Sequence, residues 1–329
     1  MRGSLLGTQS ANTEAVGRVV PHFAVGFAVP ELRPWLGGNC GIPGVWTFTA
    51  AAPGPHLALV ALTHGNEIAG AAVRADLLEA GIRPERGRLS LIFNNIDAFL
   101  AFDSANPTAT RYLDEDLNRL WGEDRLQSPR DSREMRRVRA LLPVIESVDV
   151  LVDLHSMLWP SDPLTLAADT ERAIRLGQSL GTPRVTVADP GHIAGRRLVD
   201  HAHFTKPGGS GAAVLVEAGQ HWETATITAM ATTARRALGL YGIIGPAPAP
   251  LPEPPLLARV TETVTANSHS FIFAREFRGG EIIPKAGTVI AQDGVREIRT
   301  PHDDCLLVMP TPVAPRGHTA VRLARFETP

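Results

Sequence analysis

Leu57-Ala58-Leu59-Val60-Ala61-Leu62 runs straight into Thr63-His64-Gly65-Asn66-Glu67, and the join between the two decides the fold. The apolar run reads as a buried strand. The residues after Glu67 (Ile68, Ala71, Ala72, Leu77, Leu78) read as the start of a helix. His64 and Glu67, three apart at such a junction, can face the same way. An imidazole nitrogen and a carboxylate oxygen are two of the three protein ligands that a catalytic zinc keeps beside its open position. Asp153-Leu154-His155, ending the apolar run Val148 to Leu154, offers the third. A helix N-terminal His beside a dipole-favoured Glu is the other reading of the pair. Position at the carboxyl end of a strand favours the metal, since open α/β sheets bind ligands there.

Outward from this junction, apolar runs alternate with helical patterns, the mark of an α/β sheet covered by helices on both faces. Strands are expected at Phe23–Val29, Val45–Thr49, Leu57–Leu62, Leu89–Phe93, Val150–Leu154, Leu164–Leu166, Val185–Val187 and Ala212–Val216. Helices are expected at Ile68–Ala80, Ser132–Ser147, Thr170–Leu180 and Glu223–Leu238. Residues 1–245 form the catalytic domain in this reading. A Pro/Ala tract over 246–255 follows as a semi-rigid linker or strapped connection. Residues 256–329 read as a smaller C-terminal all-β domain, with short runs at Ala258–Thr265, Phe271–Phe273, Glu281–Ile283, Thr288–Ala291 and Leu306–Met309 and Gly-containing turns between them.

At 329 residues the chain is long enough for one large and one smaller domain. Its 44% hydrophobic and 20% charged residues suit a globular core. A net charge of -2, with no basic stretch interleaved with aromatics, argues against nucleic acid. No apolar stretch is long enough to span a bilayer, and Met1 to Gly7 shows no apolar core of a signal peptide. Two cysteines, Cys40 and Cys305, make no disulfide framework, so a reducing cytoplasm is the expected compartment. Lysine occurs only at Lys206 and Lys285; Arg-favouring codons explain this more simply than surface adaptation.

Two further blocks carry chemistry. In Arg111-Tyr112-Leu113-Asp114-Glu115-Asp116-Leu117-Asn118-Arg119 the guanidiniums can bind a carboxylate bidentately and polarise a carbonyl. Asp116 can accept the free N–H of a metal-bound imidazole. A charge-balanced surface loop would read the same way. Glu217 ends the apolar run Ala212 to Val216 at the edge of a sheet. A carboxylate there can take a proton from an activated water and pass it to a leaving amine, or simply cap the helix that follows.

His64, Arg119, His155 and Glu217 thus bring complementary parts of one reaction from four elements. The chain resembles the succinylglutamate desuccinylase/aspartoacylase family of zinc carboxypeptidase-like hydrolases. The resemblance rests on His64-Gly65-Asn66-Glu67, Arg111 with Asp116-Leu117-Asn118-Arg119, Asp153-Leu154-His155 and Glu217-Ala218-Gly219-Gln220, over residues 57–220. It implies a mixed α/β sheet flanked by helices, with an accessory β domain after it. It implies one zinc ion per chain on His64, Glu67 and His155, and Glu217 as general base and acid. Arg111 would polarise the scissile carbonyl, Asn118 and Arg119 would hold the substrate α-carboxylate, and Asp116 would support His64. The stretch from Asp189 to Gly211 departs from the family's better-known members and leaves the acyl pocket unassigned.

Other residues are read more plainly. Arg196-Arg197 can meet a second substrate carboxylate or be solvated charge. His221 can line the pocket. His201-Ala202-His203 offers two imidazoles without a third ligand, as in a mobile loop beside the site. His22 and His56 fall at element ends, and the cysteines read as small packing residues. Three functions stay open: an amidohydrolase cutting an acetyl- or succinyl-type group from a small N-acyl amino acid, a zinc carboxypeptidase acting on short peptides, and a non-catalytic carboxylate-binding protein. The first is favoured, because binding alone would not require Glu217 and a β domain over the site would admit only small substrates. Zinc is inferred from ligand type, and other divalent ions suit such ligands too. Oligomeric state stays open, a homo-oligomer included.

Overall fold

Every residue from Leu57 to Leu62 is fully buried, as a central parallel strand covered on both faces demands. In the computed structural model, which describes residues 23–327, Leu57 to Ala61 lie in, and Leu62 directly follows, the second of fourteen strands. They are β1 (Val45–Thr49), β2 (Ala52–Ala61), β3 (Arg86–Phe93), β4 (Val150–Met157), β5 (Leu164–Ala168), β6 (Val185–Asp189), β7 (Ala212–Gln220), β8 (Leu256–Thr265), β9 (Ile272–Phe273), β10 (Ile282–Ile283), β11 (Val289–Asp293), β12 (Arg296–Arg299), β13 (Cys305–Val308) and β14 (Thr319–Phe326). The longer helices are α1 (Ala69–Glu79), α4 (Arg133–Ile145), α5 (Glu171–Leu180) and α7 (Thr224–Leu240). Three short ones are α2 (Ile96–Leu100), α3 (Glu123–Leu126) and α6 (Ala202–Thr205).

Eleven strands make one sheet in the order β1-β3-β2-β4-β7-β5-β6-β8-β14-β13-β10. β3, β2, β4 and β7 run parallel, whereas β1 and β5 are antiparallel to their neighbours β3 and β7. The sheet is therefore mixed, as expected. The two-residue alternation of a strand sorts its side chains. Leu57, Leu59 and Ala61 join one core with α1, α5 and α7. Ala58 and Val60 join the other with Met135, Val138, Leu141 and Ile145 of α4. Among the described residues no helix is long and apolar enough to cross a membrane.

The Pro/Ala tract is strapped down by its carbonyls, the groups that proline leaves available. Arg236 donates to the Ala249 carbonyl at 2.9 Å and Arg184 to that of Pro254 at 3.1 Å. β8 then pairs in parallel with β6, and β14, β13 and β10 continue the same sheet in antiparallel fashion. β9, β11 and β12 form a small antiparallel sheet. A third core, including Val264, Ile290, Leu307 and Leu323, fills this C-terminal β part.

The segment Phe23–Val29, expected to be a strand, forms none. Gly26 makes a single backbone bond to the Trp222 carbonyl, at 2.9 Å. The segment is held instead by rings, Phe23 lying 5.8 Å from Trp159 and 6.5 Å from Trp222. β12 and β14 had no counterpart in the sequence reading. β4 and β7 also run past their expected ends to Met157 and Gln220, because the backbone ladder continues through His155 and Glu217 whatever the side chains there. His22 and Met1 to Gly7 lie outside the described residues.

Candidate active site

β2, β4 and β7 are neighbours and parallel, so their carboxyl ends open on one side. Leu62, buried with a left-handed φ of 57°, turns the chain out of β2, a strained conformation of the kind found at functional sites. The turn then passes so close to α2 that a Cβ on Gly65 would lie 2.4 Å from the Ala98 carbonyl carbon. Only glycine fits there. The Gly65 N–H donates to the Arg111 carbonyl at 3.0 Å, which ties this turn to the loop at 111–119.

His64, Glu67 and His155 converge as expected. Nδ1 of His64 lies 2.6 Å from Glu67 Oε1, and Nδ1 of His155 lies 3.0 Å from Glu67 Oε2. Each ring's other nitrogen meets a carboxylate. Nε2 of His64 is 3.0 Å from Asp116 Oδ1, and Nε2 of His155 is 2.8 Å from Asp153 Oδ2. Among the described residues these three form the group of His, Cys, Asp and Glu whose ligand atoms, all within 4.8 Å of one another, could hold a metal ion. The donor set fits zinc: two imidazoles and a carboxylate, with both rings oriented from behind. Burial opposes charge on Glu67, yet His155 and then His64 hold its carboxyl well below the ordinary range. Burial likewise opposes charge on His155, but Asp153 and Glu67 hold its ring well above its ordinary value.

Glu217 pairs in register with His155 across β4 and β7. It is 5% exposed, and its Oε2 is buried without a hydrogen-bond partner. Burial first, and the nearby Glu67 next, push its carboxyl up to about 8. His221 lies beside it on the cavity wall, with Nδ1 2.8 Å from Ser156 Oγ. Burial pushes that imidazole down to about 3, so it is neutral.

The loop at 111–119 supplies the opposite wall. Arg111 Nη1 is 3.4 Å from Glu67 Oε1 and its Nη2 is 2.9 Å from His64 Nε2. Burial would raise the Asp116 carboxyl, but His64, Arg111 and Arg119 hold it far below its ordinary range. Asn118 turns its Oδ1 to the Leu198 N–H at 2.9 Å, and Arg119 donates to the Asn118 carbonyl at 2.7 Å. Burial lowers the Arg119 guanidinium to about 10, leaving it charged at neutral pH.

His64, Glu67, Arg111, Asp116, Asn118, Arg119, His155, Glu217 and His221 line one cavity of about 450 Å³, whose wall also includes Met309, Thr311, His318 and Arg322 of the C-terminal β part. Arg197 reaches the wall too, but its guanidinium is spent: Nη1 donates to Asp189 at 2.9 Å, Nε and Nη2 to Asp200 at 2.7 and 2.9 Å. Arg196 is turned to the Asp200 carbonyl. His201 Nδ1 and His203 Nε2 sit against the separate carbonyls of Trp121 and Val148, at 3.0 and 2.7 Å, and do not converge. His56 is held between the Ser147 carbonyl and Ser90 Oγ, at 2.9 and 2.8 Å, away from the site. Sequence reasoning missed Arg322, whose strand went unrecognised, and the partnership of Asp153 with His155, for which the adjacency in Asp153-Leu154-His155 was the available signal.

The family model for the succinylglutamate desuccinylase/aspartoacylase catalytic domain matches residues 53–238, more than half of the chain. Solved structures with the same fold include a succinylglutamate desuccinylase from Vibrio parahaemolyticus, 18% identical over 87% of each chain, with a TM-score of 0.69. A succinylglutamate desuccinylase/aspartoacylase from Rhodobacter sphaeroides is 16% identical over 87% of this chain and 89% of that one, with a TM-score of 0.65. The ectoine utilization protein EutE (DoeB) from Ruegeria pomeroyi is 16% identical over 85% and 87%, with a TM-score of 0.63.

Proposed function

The chain belongs to the succinylglutamate desuccinylase/aspartoacylase family, and from that premise we propose that it is a zinc-dependent amidohydrolase removing an acetyl- or succinyl-type group from a small N-acyl amino acid. One observation carries the reading. Two Nδ1 atoms and the Glu67 carboxylate converge, both Nε2 atoms are held by carboxylates, and the unpartnered Glu217 carboxyl stands beside them.

A zinc ion held by His64, Glu67 and His155 supplies a water acidified toward neutrality and a Lewis acid for the carbonyl. Glu217 takes the proton from the attacking water and delivers it to the departing nitrogen, since an unprotonated amide nitrogen is a poor leaving group. Arg111 sets a fixed positive charge where the carbonyl oxygen becomes negative. Arg119 holds the α-carboxylate with its planar fork, and the Asn118 side chain anchors the neighbouring loop through Leu198. Asp116 keeps the His64 ring in place. Free Cys40 and Cys305 suit the reducing cytoplasm.

A carboxypeptidase would need an open cleft, whereas here residues of the C-terminal β part complete the cavity wall. The test is a screen of acetyl-, succinyl- and formyl-amino acids beside peptides of four or more residues, with released amine as readout. Turnover of a small acyl amino acid in the presence of zinc is expected. Efficient trimming of the longer peptides instead would overturn the reading in favour of a peptidase.

A further inference from the structure

β4 and β7 lose register beside the candidate metal ligands. β4 advances from His155 to Met157 while β7 advances from Glu217 to Gln220, one residue more. The extra residue makes a β-bulge, a device that re-aims side chains beside active sites. Gly219 supplies the bend at a φ of 134°, where a Cβ would lie 2.8 Å from Thr226 Oγ1. Past the bulge the two strand ends are joined again, twice. The His221 N–H donates to the Met157 carbonyl at 2.8 Å, and His221 Nδ1 lies 2.8 Å from Ser156 Oγ. Ser156 and His221 are both buried, where a hydrogen bond is electrostatically stronger than in water.

Ser156 carries this clamp to the ligands. Its backbone N–H donates to Glu67 Oε2 at 3.0 Å, the same oxygen that His155 Nδ1 meets at 3.0 Å. Glu67 Oε1 has His64 Nδ1 at 2.6 Å and the more distant Arg111 Nη1 at 3.4 Å. The two imidazole nitrogens are themselves candidate ligand atoms. Once they are given to a metal, the Ser156 N–H and Arg111 are the donors left among the described residues to orient this carboxylate. Of the two, Ser156 is the closer, and its place depends on how the bulge is pinned.

We propose that His221 is a positioning residue for Glu67: its Nδ1 holds the Ser156 hydroxyl, and so keeps the Ser156 N–H on Glu67 Oε2. The proposal rests on the reading of His64, Glu67 and His155 as metal ligands. It gives His221 a task in shaping the site, apart from the proton transfer assigned to Glu217.

The test is the zinc affinity of the metal-free protein, measured by competition with a chromophoric chelator, which needs no substrate. His221→Phe keeps a ring but loses Nδ1, and Ser156→Ala removes the hydroxyl. Each should weaken zinc binding by about tenfold or more, as removal of groups that orient metal ligands does. The double variant should bind no more weakly than the weaker single one, since both remove the same bond. His221→Asn places an amide where Nδ1 was and should restore most of the wild-type affinity. A purely structural role would lower the melting temperature and leave zinc affinity unchanged, and that result overturns the proposal. Additive losses in the double variant, or equal losses in His221→Asn and His221→Phe, overturn it too. Should His221→Phe not fold, a loss in Ser156→Ala with retention in His221→Asn supports the clamp, and any other pairing overturns it. Wild type that binds no zinc removes the ligand assignment and the proposal with it. Zinc binding without cleavage of any acyl amino acid fails the deacylase reading alone.

Discussion

The carboxylate of Glu134, fully buried on α4, accepts the backbone N–H of Leu113 at 2.7 Å. It also accepts those of Asp114 and Glu115 at 3.1 and 3.3 Å, and the Asn95 side-chain amide at 3.2 Å. One buried anion thus gathers three successive backbone donors of the loop that presents Arg111, Asp116 and Arg119. The loop answers in kind, Asp114 accepting the Arg133 N–H at 2.8 Å at the start of the same helix.

Glu134→Gln keeps the size but turns an acceptor into a group with donors of its own, leaving buried N–H groups without partners at about 1–3 kcal/mol. The melting temperature should fall, and kcat should fall at least about tenfold because Arg111 loses its position. Zinc stoichiometry should hold at one per chain. Unaltered turnover in a folded variant would show that the loop holds its shape without this anchor.

Metal uptake should release protons. In the metal-free site Asp153 and Glu67 hold the His155 ring well above its ordinary value despite burial, which favours the protonated ring, whereas only neutral imidazole binds a metal. Apparent zinc affinity should therefore rise with pH. Calorimetry in two buffers of different ionisation enthalpy measures the protons released; none released would contradict the assignment. His155→Ala should lose most bound metal while keeping its fold.

Glu217 must be ionised to take a proton, so kcat/KM should decline as pH falls through its working pKa. That value lies below the figure of about 8 set by burial and Glu67 in the metal-free protein, because a bound cation favours the carboxylate. Glu217→Gln should bind zinc and substrate nearly normally yet lose roughly two to four orders of magnitude in kcat. More than about a tenth of wild-type turnover in this variant would point to another base. The same shift predicts a stability effect. The folded metal-free protein holds this proton more tightly than the unfolded chain, so the contribution is complete below the ordinary 4.5 and lost as pH rises to about 8. Thermal melts of the metal-free protein should show that decline in wild type and a shallower one in Glu217→Gln.

Arg119→Lys should raise KM by roughly 10- to 100-fold with a smaller change in kcat, since the charge stays while the bidentate geometry goes. Esters without an α-carboxylate should be poor substrates of the wild type. Equal cleavage of esters and free acids would remove Arg119 from substrate binding.

The sequence by itself determined the α/β layering, most element positions and the convergence of His64, Glu67 and His155. These are legible because apolar periodicity records burial, and because ligand chemistry follows residue type at the ends of strands. What only the tertiary structure decided is which charges are spent. Arg197 and Arg322 look alike as residues, but Arg197 donates three hydrogen bonds to Asp189 and Asp200, while Arg322 on the cavity wall has its Nε 2.9 Å from Asp189 without a hydrogen bond. Glu134 gave no sign of organising a loop some twenty residues before it, and Phe23–Val29 looked like a strand until rings, not a ladder, proved to hold it. Hydrogen-bond partners are chosen across the sheet by residues far apart in the chain. A side chain's type states which bonds it can make, and only the packed fold determines which of them remain for a substrate.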